Sequence, residues 1–595
     1  MYGPRRPAAK ASAVKAPKIN ARLRLSVLAI GLGGFAMVLL ARAVELQVID
    51  RDFYQDQGDQ RFVRERVIPV SRGTITDRNG EPLAISTPVE SIWAQPQELA
   101  QHLERLPELA AALDLDPQVL TQRVGERGDR EFMYLRRHLS PELAERVLAL
   151  DIPGVNAQRE FRRFYPAGEL AAHVVGFTNI DDRGQEGLEL AFDQWLAGRP
   201  GAKRVIQNRR GQVFENVELL RESIAGQPLR LSLDRRIQYL AYRALIGSIE
   251  THRAASGSMV ILDVPTGEVL AMANWPSYNP NARGTGGLDA RRNRAVTDLF
   301  EPGSVIKAFT VAAGLESGKF DMTTRIDTSP GTFAVARHVV RDVHNYGVVD
   351  LTRLLTKSSN IGSAKIVLQL ENDHFYDLLH RFGYGVVSQS GFPGEAAGVL
   401  PLPGGWGTLE KVTLSYGYGL SATPLQVAQS YAALANHGRL QSPTFLADGN
   451  RDRADAAVLD PLIADEILAM LETVTGPEGT GQRARVPNYR VAGKTGTTRK
   501  VMPGGYQSRY ISYFAGIVPV SNPRLVGVVV INDPRGEFYF GGLVAAPLFA
   551  EVMSGALRLL DVPPDNLPAP TLLASTATVL APSDDLSAYV DVVPQ

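Results

Sequence analysis

A long run of apolar residues lies close to the N-terminus. Residues 25–41, LSVLAIGLGGFAMVLLA, contain no charged side chain, and Ala43 and Val44 extend the run past Arg42. With a rise of about 1.5 Å per residue, a helix of this length crosses most of a hydrocarbon layer of about 30 Å. We therefore predict a transmembrane anchor over residues 25–44.

The flank of this run indicates its orientation. Residues 1–24 contain Lys and Arg but no Asp or Glu, and basic flanks tend to stay in the cytoplasm. We predict a cytoplasmic basic tail over residues 1–24 and an exported remainder. Two alternatives stay open: a buried helix of a soluble protein, and a cleaved signal peptide, since Ala41-Arg42-Ala43 loosely fits a small-residue cleavage site. The bulky Arg42 and the unbroken continuation favour an anchor.

Beyond the anchor, strand-like and helical patterns alternate. The charged residues 51–66 are typical of a helical or extended neck. Residues 67–86 contain two strand-like runs around an Asn-Gly pair, which favours a hairpin turn. Leu and Ala recur at three- and four-residue steps over residues 96–150, which predicts helices there. A shift in pattern near residues 217–228 indicates a linker.

In the second half, a helix predicted over residues 234–249 precedes the strand-like runs GSMVILDV and EVLAMAN. Three more such runs, NYRVAGKTGT, ISYFAGIVPV and PRLVGVVVIND, follow near the end, and short breakers between them favour antiparallel neighbours. A helix is predicted over residues 547–560. We predict a mixed α/β (α+β) chain with an N-terminal domain over residues 45–226, a second domain over residues 227–567 and a flexible tail over residues 568–595.

Composition narrows the classes of function. The chain has 595 residues, 44% of them hydrophobic, and its 63 basic residues balance its 63 acidic ones. The net charge therefore predicts no nucleic-acid partner. Because there is no cysteine, thiolate catalysis and Cys-ligated zinc are excluded, and the nine histidines show no compact metal-ligand spacing. His374 and His380, six residues apart, are interpreted as structural.

One short stretch combines a nucleophile with a base. EPGSVIKAFT, residues 301–310, places Ser304 and Lys307 one helical turn apart, just behind a Pro-Gly turn. A serine at the start of a helix faces the positive end of the helix dipole, which favours a developing alkoxide. If burial and nearby cations lower the pKa of Lys307, its neutral amine can take the proton of Ser304.

Two further motifs follow in order along the chain. SSN, residues 358–360, lies between two helical patterns, where a loop can bring a hydroxyl and an amide into a cleft. KTGT, residues 494–497, lies on a predicted strand, where Gly496 permits close approach of the backbone, and the hydroxyls and ammonium can hold a carboxylate. Single copies of such motifs mean little, since Ser12 to Lys15 matches the first and Ser277 to Asn279 the second. The ordered trio is the specific signal.

This trio is typical of penicillin-binding proteins and class A β-lactamases. Over nearly its full length the chain resembles the class B penicillin-binding proteins, the peptidoglycan D,D-transpeptidases. RGTITDRNGEPLA, RRFYPAGELAAHVVGF and GQEGLE resemble their N-terminal pedestal, and LSYGYGLSATPLQVAQSYAALANHG resembles their stretch between the second and third motifs. KTGTTRK, YFGGLVAAP and LDVPPDNLP are most similar to the division-specific, septal type.

The resemblance implies a fold and a reaction. It implies an elongated pedestal over residues 45–226 and, over residues 227–567, a transpeptidase domain whose central antiparallel sheet is flanked by helices. In the implied reaction, a stem peptide ending in D-Ala-D-Ala acylates the serine, D-Ala leaves, and the amine of a second stem peptide resolves the ester. The catalytic residues implied are Ser304, Lys307, Ser358, Asn360 and Lys494, and the substrate-binding residues are Thr495, Gly496 and Thr497.

Three further residues are candidate substrate contacts. Arg499, just after the KTGT motif, is placed to meet substrate carboxylates, and a solvated strand-end charge is the alternative. Tyr539 and Phe540 are candidates for a wall of the cleft, and buried core aromatics are the alternative.

Partners and location also follow from the resemblance. It implies donor and acceptor stem peptides, β-lactam antibiotics, and no metal or cofactor. Residues 45–226 show no sign of a glycosyltransferase domain, so the resemblance implies a polytopic septal glycosyltransferase and other divisome membrane proteins as partners. The implied location is the bacterial inner membrane, with the N-terminus in the cytoplasm and the catalytic domain in the periplasm.

Other functions stay open as alternatives. A D,D-carboxypeptidase or β-lactamase shares the trio, but no carboxylate segment between Ser358 and Lys494 plainly supplies the activated water that fast β-lactam hydrolysis needs. A membrane receptor that senses β-lactams would need a signalling region larger than the short tail. An inactive scaffold would not need an intact set of Ser304, Lys307 and Asn360.

Overall fold

The computed structural model describes residues 21–49, 63–207, 213–282, 287–447, 455–502 and 505–567. The chain divides into two compact units. The first unit is formed by Met1–Val70, Pro88–Glu160 and Arg199–Ile224, and the second unit by Ser71–Thr87, Phe161–Gly198 and Ala225–Gln595.

The helices of the described residues begin with the predicted apolar helix, which is confirmed. The 18-residue window that qualifies this helix as a membrane span has a mean hydropathy of 2.1 and no buried residue. The helix near the C-terminus is also long and apolar enough to span a membrane, but 56% of its window is buried. The α-helices are α1 (Ala21–Val44), α2 (Pro96–Leu99), α3 (Leu106–Leu113), α4 (Pro117–Glu126), α5 (Pro141–Leu148), α6 (Ala172–Val175), α7 (Gly187–Ala191), α8 (Asp193–Ala197), α9 (Arg235–His252), α10 (Arg294–Thr297), α11 (Lys307–Glu316), α12 (Leu351–Lys357), α13 (Asn360–Val367), α14 (Asn372–Arg381), α15 (Thr408–Leu414), α16 (Pro424–Ala435), α17 (Pro461–Thr475) and α18 (Gly541–Leu559).

Strands form sheets in both units. They are β1 (Val63–Ile68), β2 (Ile75–Thr76), β3 (Pro82–Ala94), β4 (Met133–Leu139), β5 (Val155–Phe164), β6 (Gly201–Gln207), β7 (Val213–Arg221), β8 (Leu229–Arg230), β9 (Ser256–Asp263), β10 (Val269–Trp275), β11 (Ile326–Asp327), β12 (Thr332–Val335), β13 (His338–Arg341), β14 (Val348–Val349), β15 (Arg439–Leu440), β16 (Ala456–Ala457), β17 (Ala492–Met502), β18 (Gly505–Val518) and β19 (Leu525–Asn532).

The first unit contains a three-stranded antiparallel sheet in the order β1-β6-β7. The last residues of β3 pair with β4, with Trp93 opposite Tyr134. The helices α3 and α4 bury Leu109, Leu120 and other apolar residues in a separate core cluster. This core is made by residues three and four positions apart, as the helical pattern predicts.

The second unit is built on a five-stranded antiparallel sheet in the order β10-β9-β19-β18-β17. Its strands are apolar on both faces, and neighbouring residues point to opposite sides. Val528 and Val530 of β19 belong to one core cluster together with Phe309 of α11, whereas Val529 belongs to another together with Phe549 of α18. Helices therefore cover both faces, and β17 lies at the edge of the sheet.

A buried ion network lies within the second unit. The Arg72 Nε donates to Glu189 Oε2 and the Arg163 Nε donates to Glu189 Oε1, both at 2.6 Å. All three side chains have no exposed area. Arg72 also donates to the Asp193 carboxylate at 2.7 Å, and Arg163 to the Gly73 carbonyl at 2.7 Å. The Glu189 carboxylate thus binds two guanidinium groups away from water, and Asp193 supplies a second negative charge.

Most predicted elements are confirmed, including the antiparallel strands β17 to β19, the hairpin between β2 and β3, and α9. Three predictions were wrong in part. Residues 133–139 are strand β4 rather than helix, because alternate residues are buried against β3. Residues 217–221 belong to β7, which pairs with β6, rather than to a linker. The last long helix begins at Gly541, so that Pro547 lies inside it.

Three predictions lie mostly or wholly outside the described residues: the basic tail, of which residues 1–20 are not described, most of the neck, residues 51–62, and the tail over residues 568–595. The serine-lysine pair at positions 12 and 15 also lies there. Ser277 to Asn279, interpreted as structural, contains Tyr278, which is buried and donates from its hydroxyl to the Ala172 carbonyl at 2.9 Å. His374 contacts the Ala313 carbonyl at 2.9 Å through Nε2.

Candidate active site

The segment before α11 positions the candidate nucleophile. Ser304 is half-buried in a turn of 3-10 helix, Gly303–Ile306, and Lys307 begins the α-helix that follows. The N–H of Gly303 donates to the Gly417 carbonyl at 3.0 Å. Gly303 has φ +60°, and a Cβ there would lie 2.3 Å from the Thr498 Cγ2. The Pro-Gly turn therefore lets the serine segment approach β17 closely.

The SSN motif is a tight turn between two helices. Helix α12 ends at Lys357, and Ser358 adopts a left-handed conformation with φ 59° and ψ 45°. Ser359 is the N-cap of α13, and its Oγ accepts from the Gly362 N–H at 2.9 Å. Asn360 is then the first residue of α13. This sequence of cap and turn directs Ser358 and Asn360 toward the same amine.

That amine is Lys307, whose side chain is fully buried. Its Nζ donates to the Ser358 carbonyl at 2.5 Å, to Asn360 Oδ1 at 2.7 Å and to Ser358 Oγ at 3.2 Å. Burial lowers the pKa of Lys307 to about 7, although the charge of Asp342 acts in the opposite direction. A large fraction of Lys307 is therefore a neutral amine near neutral pH.

Lys494 approaches the same hydroxyl from β17. Its Nζ donates to Ser358 Oγ at 2.9 Å and to the carbonyl of Thr495 at 3.2 Å. Burial and, to a smaller extent, the charge of Lys307 lower the pKa of Lys494 well below its usual value. Ser358 Oγ thus lies between two amines. The structure brings Lys307, Ser358, Asn360 and Lys494 together, and Ser304 lies one turn before Lys307.

The rest of the KTGT motif holds β17 against the serine segment. A Cβ at Gly496 would lie 3.0 Å from the Pro302 carbonyl oxygen, so this close approach favours glycine. The Thr495 hydroxyl is buried and lies 2.7 Å from the hydroxyl of Thr480. The Thr497 Oγ1 is half-buried and accepts from the Gly541 N–H at 3.0 Å. Their roles in substrate binding stay predictions.

The three further candidate substrate contacts lie near the end of β17 and just before α18. Arg499 is exposed, and its N–H donates to the Tyr418 hydroxyl at 3.4 Å. Tyr539 stacks on Tyr510 with ring centroids 3.9 Å apart and contacts Phe540 at 4.5 Å. Phe540 is 50% exposed, which excludes it from the core. The role of Phe540 as a cleft wall stays a prediction.

Sequence reasoning missed Asp342, which supports the SSN turn. Its Oδ1 accepts from the N–H groups of Asn360 at 2.6 Å and Ile361 at 3.1 Å, and its Oδ2 accepts from the Ser359 hydroxyl at 2.5 Å. A carboxylate at a helix N-terminus is favoured by the dipole. Because Asp342 lies 16 residues before Ser358 in the chain, no local pattern indicated this contact.

Glu301 was also missed, although it lies three residues before Ser304. Its Oε1 accepts from the Gly419 N–H and from the Tyr506 hydroxyl, each at 2.8 Å. The Glu301 carbonyl accepts from the Thr498 hydroxyl at 3.3 Å. Burial raises the pKa of Glu301. This residue thus joins the serine segment to both strands of the β17–β18 hairpin.

Comparison with known proteins agrees with this geometry. Residues 257–554 match the family described as penicillin binding protein transpeptidase domain, and residues 67–231 match the penicillin-binding protein dimerisation domain. The chain is 41% identical over 535 residues to the peptidoglycan D,D-transpeptidase FtsI of Escherichia coli K12, covering 89% of this chain and 90% of FtsI. The chain belongs to the class B penicillin-binding proteins of the FtsI type.

Two further relatives extend this comparison. A protein of Pseudomonas aeruginosa named probable peptidoglycan D,D-transpeptidase PbpC is 45% identical over 534 residues, which cover 89% of this chain and 94% of PbpC. The solved structure of penicillin-binding protein 3 of Mycobacterium tuberculosis in complex with aztreonam has a TM-score of 0.65 and 29% identity, and the match covers 84% of this chain and 98% of that one.

Family membership and the length of the N-terminal helix together indicate a membrane-spanning segment. Helix α1 is long and apolar enough to cross a membrane, and the relatives that match most of the chain are of the FtsI type. This penicillin-binding protein is therefore a single-pass inner-membrane protein whose transpeptidase domain, residues 257–554, is of the penicillin-binding type.

Proposed function

We propose that this penicillin-binding protein is a peptidoglycan D,D-transpeptidase that crosslinks stem peptides of the septal wall through an acyl-enzyme on Ser304. The proposal rests mainly on one observation. Lys307 is a buried amine with a pKa of about 7, bound to Ser358 and Asn360 and one helical turn after Ser304. Burial of a lysine is costly, and a neutral amine beside a serine is the arrangement that makes the serine a nucleophile.

Acylation uses both amines around Ser358. The Ser304 Oγ attacks the carbonyl carbon of the penultimate D-Ala, and its proton passes to the neutral Lys307. The C–N bond to the terminal D-Ala then breaks, and the leaving nitrogen takes a proton through Ser358, whose Oγ contacts Lys307 at 3.2 Å and Lys494 at 2.9 Å. Free D-Ala departs, and the peptide stays bound as an ester of Ser304.

Strand β17 is the surface for the donor peptide, since it lies at the edge of the sheet. An extended peptide adds to such an edge through main-chain hydrogen bonds. Its terminal carboxylate is held by Lys494, Thr495 and Thr497, and the backbone N–H groups of Ser304 and Thr497 stabilise the oxyanion. Loss of one such donor typically costs roughly 100-fold or more in rate.

Deacylation completes the crosslink. The amine of a second stem peptide attacks the ester carbonyl and gives a proton to the neutral Lys307, the bond to the Ser304 Oγ breaks, and the oxygen takes that proton from Lys307. The same group thus acts as base in acylation and as acid in release. The products are one new amide bond between two stem peptides and the free enzyme.

Location and partners are part of this proposal. The basic residues 1–24 stay in the cytoplasm by the positive-inside rule, which leaves the chain beyond α1 in the periplasm. A polytopic septal glycosyltransferase supplies the glycan strands that carry the stem peptides, and other divisome membrane proteins bind the anchor and pedestal. β-Lactams acylate Ser304 in place of the donor peptide. Depletion of the protein is expected to give filamentous cells, whereas round cells would indicate a role in elongation.

Transfer to an amine distinguishes this proposal from a hydrolase. The full-length chain in detergent is incubated with a stem-peptide thioester as donor and a stem tetrapeptide with a free side-chain amine as acceptor, and products are separated by chromatography. We expect a crosslinked peptide that exceeds the hydrolysed donor and that is absent with Ser304→Ala. Hydrolysed donor alone, at any acceptor concentration, would favour a D,D-carboxypeptidase.

Asp342→Asn tests how the SSN turn is positioned. An asparagine of the same shape lacks the charge and the second acceptor oxygen, so three hydrogen bonds weaken, and we expect acylation by benzylpenicillin to slow by about tenfold. Because the charge of Asp342 raises the pKa of Lys307, its removal should also shift the midpoint of the pH–rate profile to lower pH. The exposed Asp377→Asn serves as control. An unchanged midpoint would contradict the assigned coupling.

A further inference from the structure

The hairpin β12–β13 ends at the catalytic turn. Thr332 pairs with Arg341 and Ala334 with Val339 in this two-stranded sheet. The Nδ2 of Asn360 donates to the carbonyl of Arg341 at 2.9 Å, while the Oδ1 of the same side chain binds Lys307. The last residue of β13 is therefore connected directly to the catalytic amide.

The two faces of this hairpin differ. Val335 and Val340 are buried on one face. Thr332, Ala334, Val339 and Arg341 alternate with them and are exposed, Val339 to 50%. Because strand residues two apart share a face, these four side chains form one surface, small and apolar over most of its length and cationic at the end beside Asn360.

The charge of Arg341 is not neutralised within the residues that the structure describes, where its guanidinium forms no hydrogen bond or ion pair. The adjoining carboxylate, Asp342, is used by Ser359, Asn360 and Ile361. By contrast, the exposed Arg325, just before β11, is paired with Asp350, just before α12, at 2.7 Å. An exposed arginine next to a catalytic turn is suited to bind a carboxylate from solution.

The proposed reaction requires a second substrate on this side. The donor peptide uses the edge of β17, and Lys494 and Thr497 on that strand hold its carboxylate. The acceptor must reach the ester carbonyl from another direction, and the SSN turn with the end of β13 forms a wall that the donor does not use. An acceptor stem peptide carries carboxylates as well as the attacking amine, so a cation there orients it.

We propose that Arg341 binds a carboxylate of the acceptor stem peptide, which lies on the exposed face of the β12–β13 hairpin. This inference rests on the proposed transpeptidase function. It assigns to Arg341 a role in substrate recognition for the second half-reaction only, because the first half-reaction, acylation of Ser304, involves the donor alone.

Separate measurements of the two half-reactions distinguish recognition of the acceptor by Arg341 from a structural role of this residue. With the full-length chain, we measure acylation by benzylpenicillin, and then transfer from the thioester donor over a range of acceptor tetrapeptide concentrations. Arg341→Gln should leave acylation within about twofold and raise the KM for the acceptor by about tenfold or more, as expected for loss of a hydrogen bond between charged groups. Arg341→Lys should recover part of the loss.

Matched controls are available on the hairpin and on the peptide. Arg337→Gln removes the same charge from the exposed turn of the hairpin and should change neither half-reaction. The wild type should use an acceptor whose carboxylates are converted to carboxamides about tenfold less well than the unmodified acceptor. Arg341→Gln should use the two acceptors equally well. A merely structural effect of the substitution would not remove this discrimination.

Several results would overturn the proposal. An equal loss of acylation and transfer in Arg341→Gln would mean that the residue acts on the catalytic turn, and an unchanged KM for the acceptor would exclude recognition. If Arg341→Gln still used the carboxamide acceptor less well than the carboxylate acceptor, the site that binds the carboxylate would lie elsewhere. Failure of the wild type to form any acyl-enzyme would instead overturn the proposed function, and this inference with it.

Discussion

Lys307→Gln is expected to slow acylation of the chain by benzylpenicillin by about 10²- to 10⁴-fold, the range typical of a lost general base. Glutamine keeps part of the volume and can still bond with the turn at Ser358 and Asn360, but it has no lone pair able to accept a proton. The second-order rate of acylation, followed by intact mass at pH 8, measures the effect. Lys319→Gln, an exposed lysine after α11, serves as control and should have the wild-type rate.

The pH dependence of the same acylation rate tests whether the neutral form of Lys307 is the reactive one. The reactive form is the neutral amine, and burial lowers the pKa of Lys307 to about 7, so the rate should rise about tenfold per pH unit below that value and level off above it. A lysine in water would keep the rate rising to about pH 10.4. A profile that is flat between pH 5.5 and 8.5, or a rate for Lys307→Gln close to that of the wild type, would contradict the assignment of the base.

Glu189→Gln is expected to lower the free energy of unfolding by about 3–5 kcal/mol, the range measured when one partner of a buried ion pair is removed. The substitution leaves Arg72 and Arg163, both without exposed area, with a neutral partner in place of the carboxylate. Asp193, the other carboxylate of the network, pairs with Arg72. Chemical denaturation of the detergent-solubilised chain, followed by tryptophan fluorescence, measures the loss.

An exposed ion pair provides the contrast for this experiment. Arg204 and Glu218 pair at 3.1 Å with 42% and 56% of their side chains exposed. Because water screens such a pair, Glu218→Gln should change the free energy of unfolding by about 0–1 kcal/mol. Similar effects of Glu189→Gln and Glu218→Gln would mean that the buried network carries no more stability than a surface pair.

The elements around the active site were predictable because each carries a local signal. The Pro-Gly turn before Ser304, the loop at residues 358–360 between two helices and the apolar strands β17 to β19 follow from short-range rules of turns and periodicity. The proximity of the three motifs was inferred from a family resemblance rather than from these rules. Their meeting at the Ser358 hydroxyl then depends on the packing of β17 against the serine segment.

Long-range contacts were not predictable in the same way. Asp342 directly follows β13, in a hairpin with no distinctive composition. Its role is evident only from the three hydrogen bonds that its carboxylate accepts in the folded chain. The start of α18 was missed because Gly541 and Gly542 are poor helix formers. A Cβ at Gly541 would lie 2.3 Å from the Gly496 carbonyl oxygen, so close packing on β17 outweighs helix propensity there.

The intact mass of the full-length chain after incubation with benzylpenicillin tests whether Ser304 is the acylated nucleophile. We expect one stable adduct with the mass of the intact drug in the wild type, none in Ser304→Ala, and slow formation in Lys307→Gln. An adduct that persists in Ser304→Ala would contradict the assignment of the nucleophile. A wild type that forms no adduct would contradict the acyl-enzyme mechanism if the drug stays intact, and would favour a β-lactamase if the drug is rapidly hydrolysed.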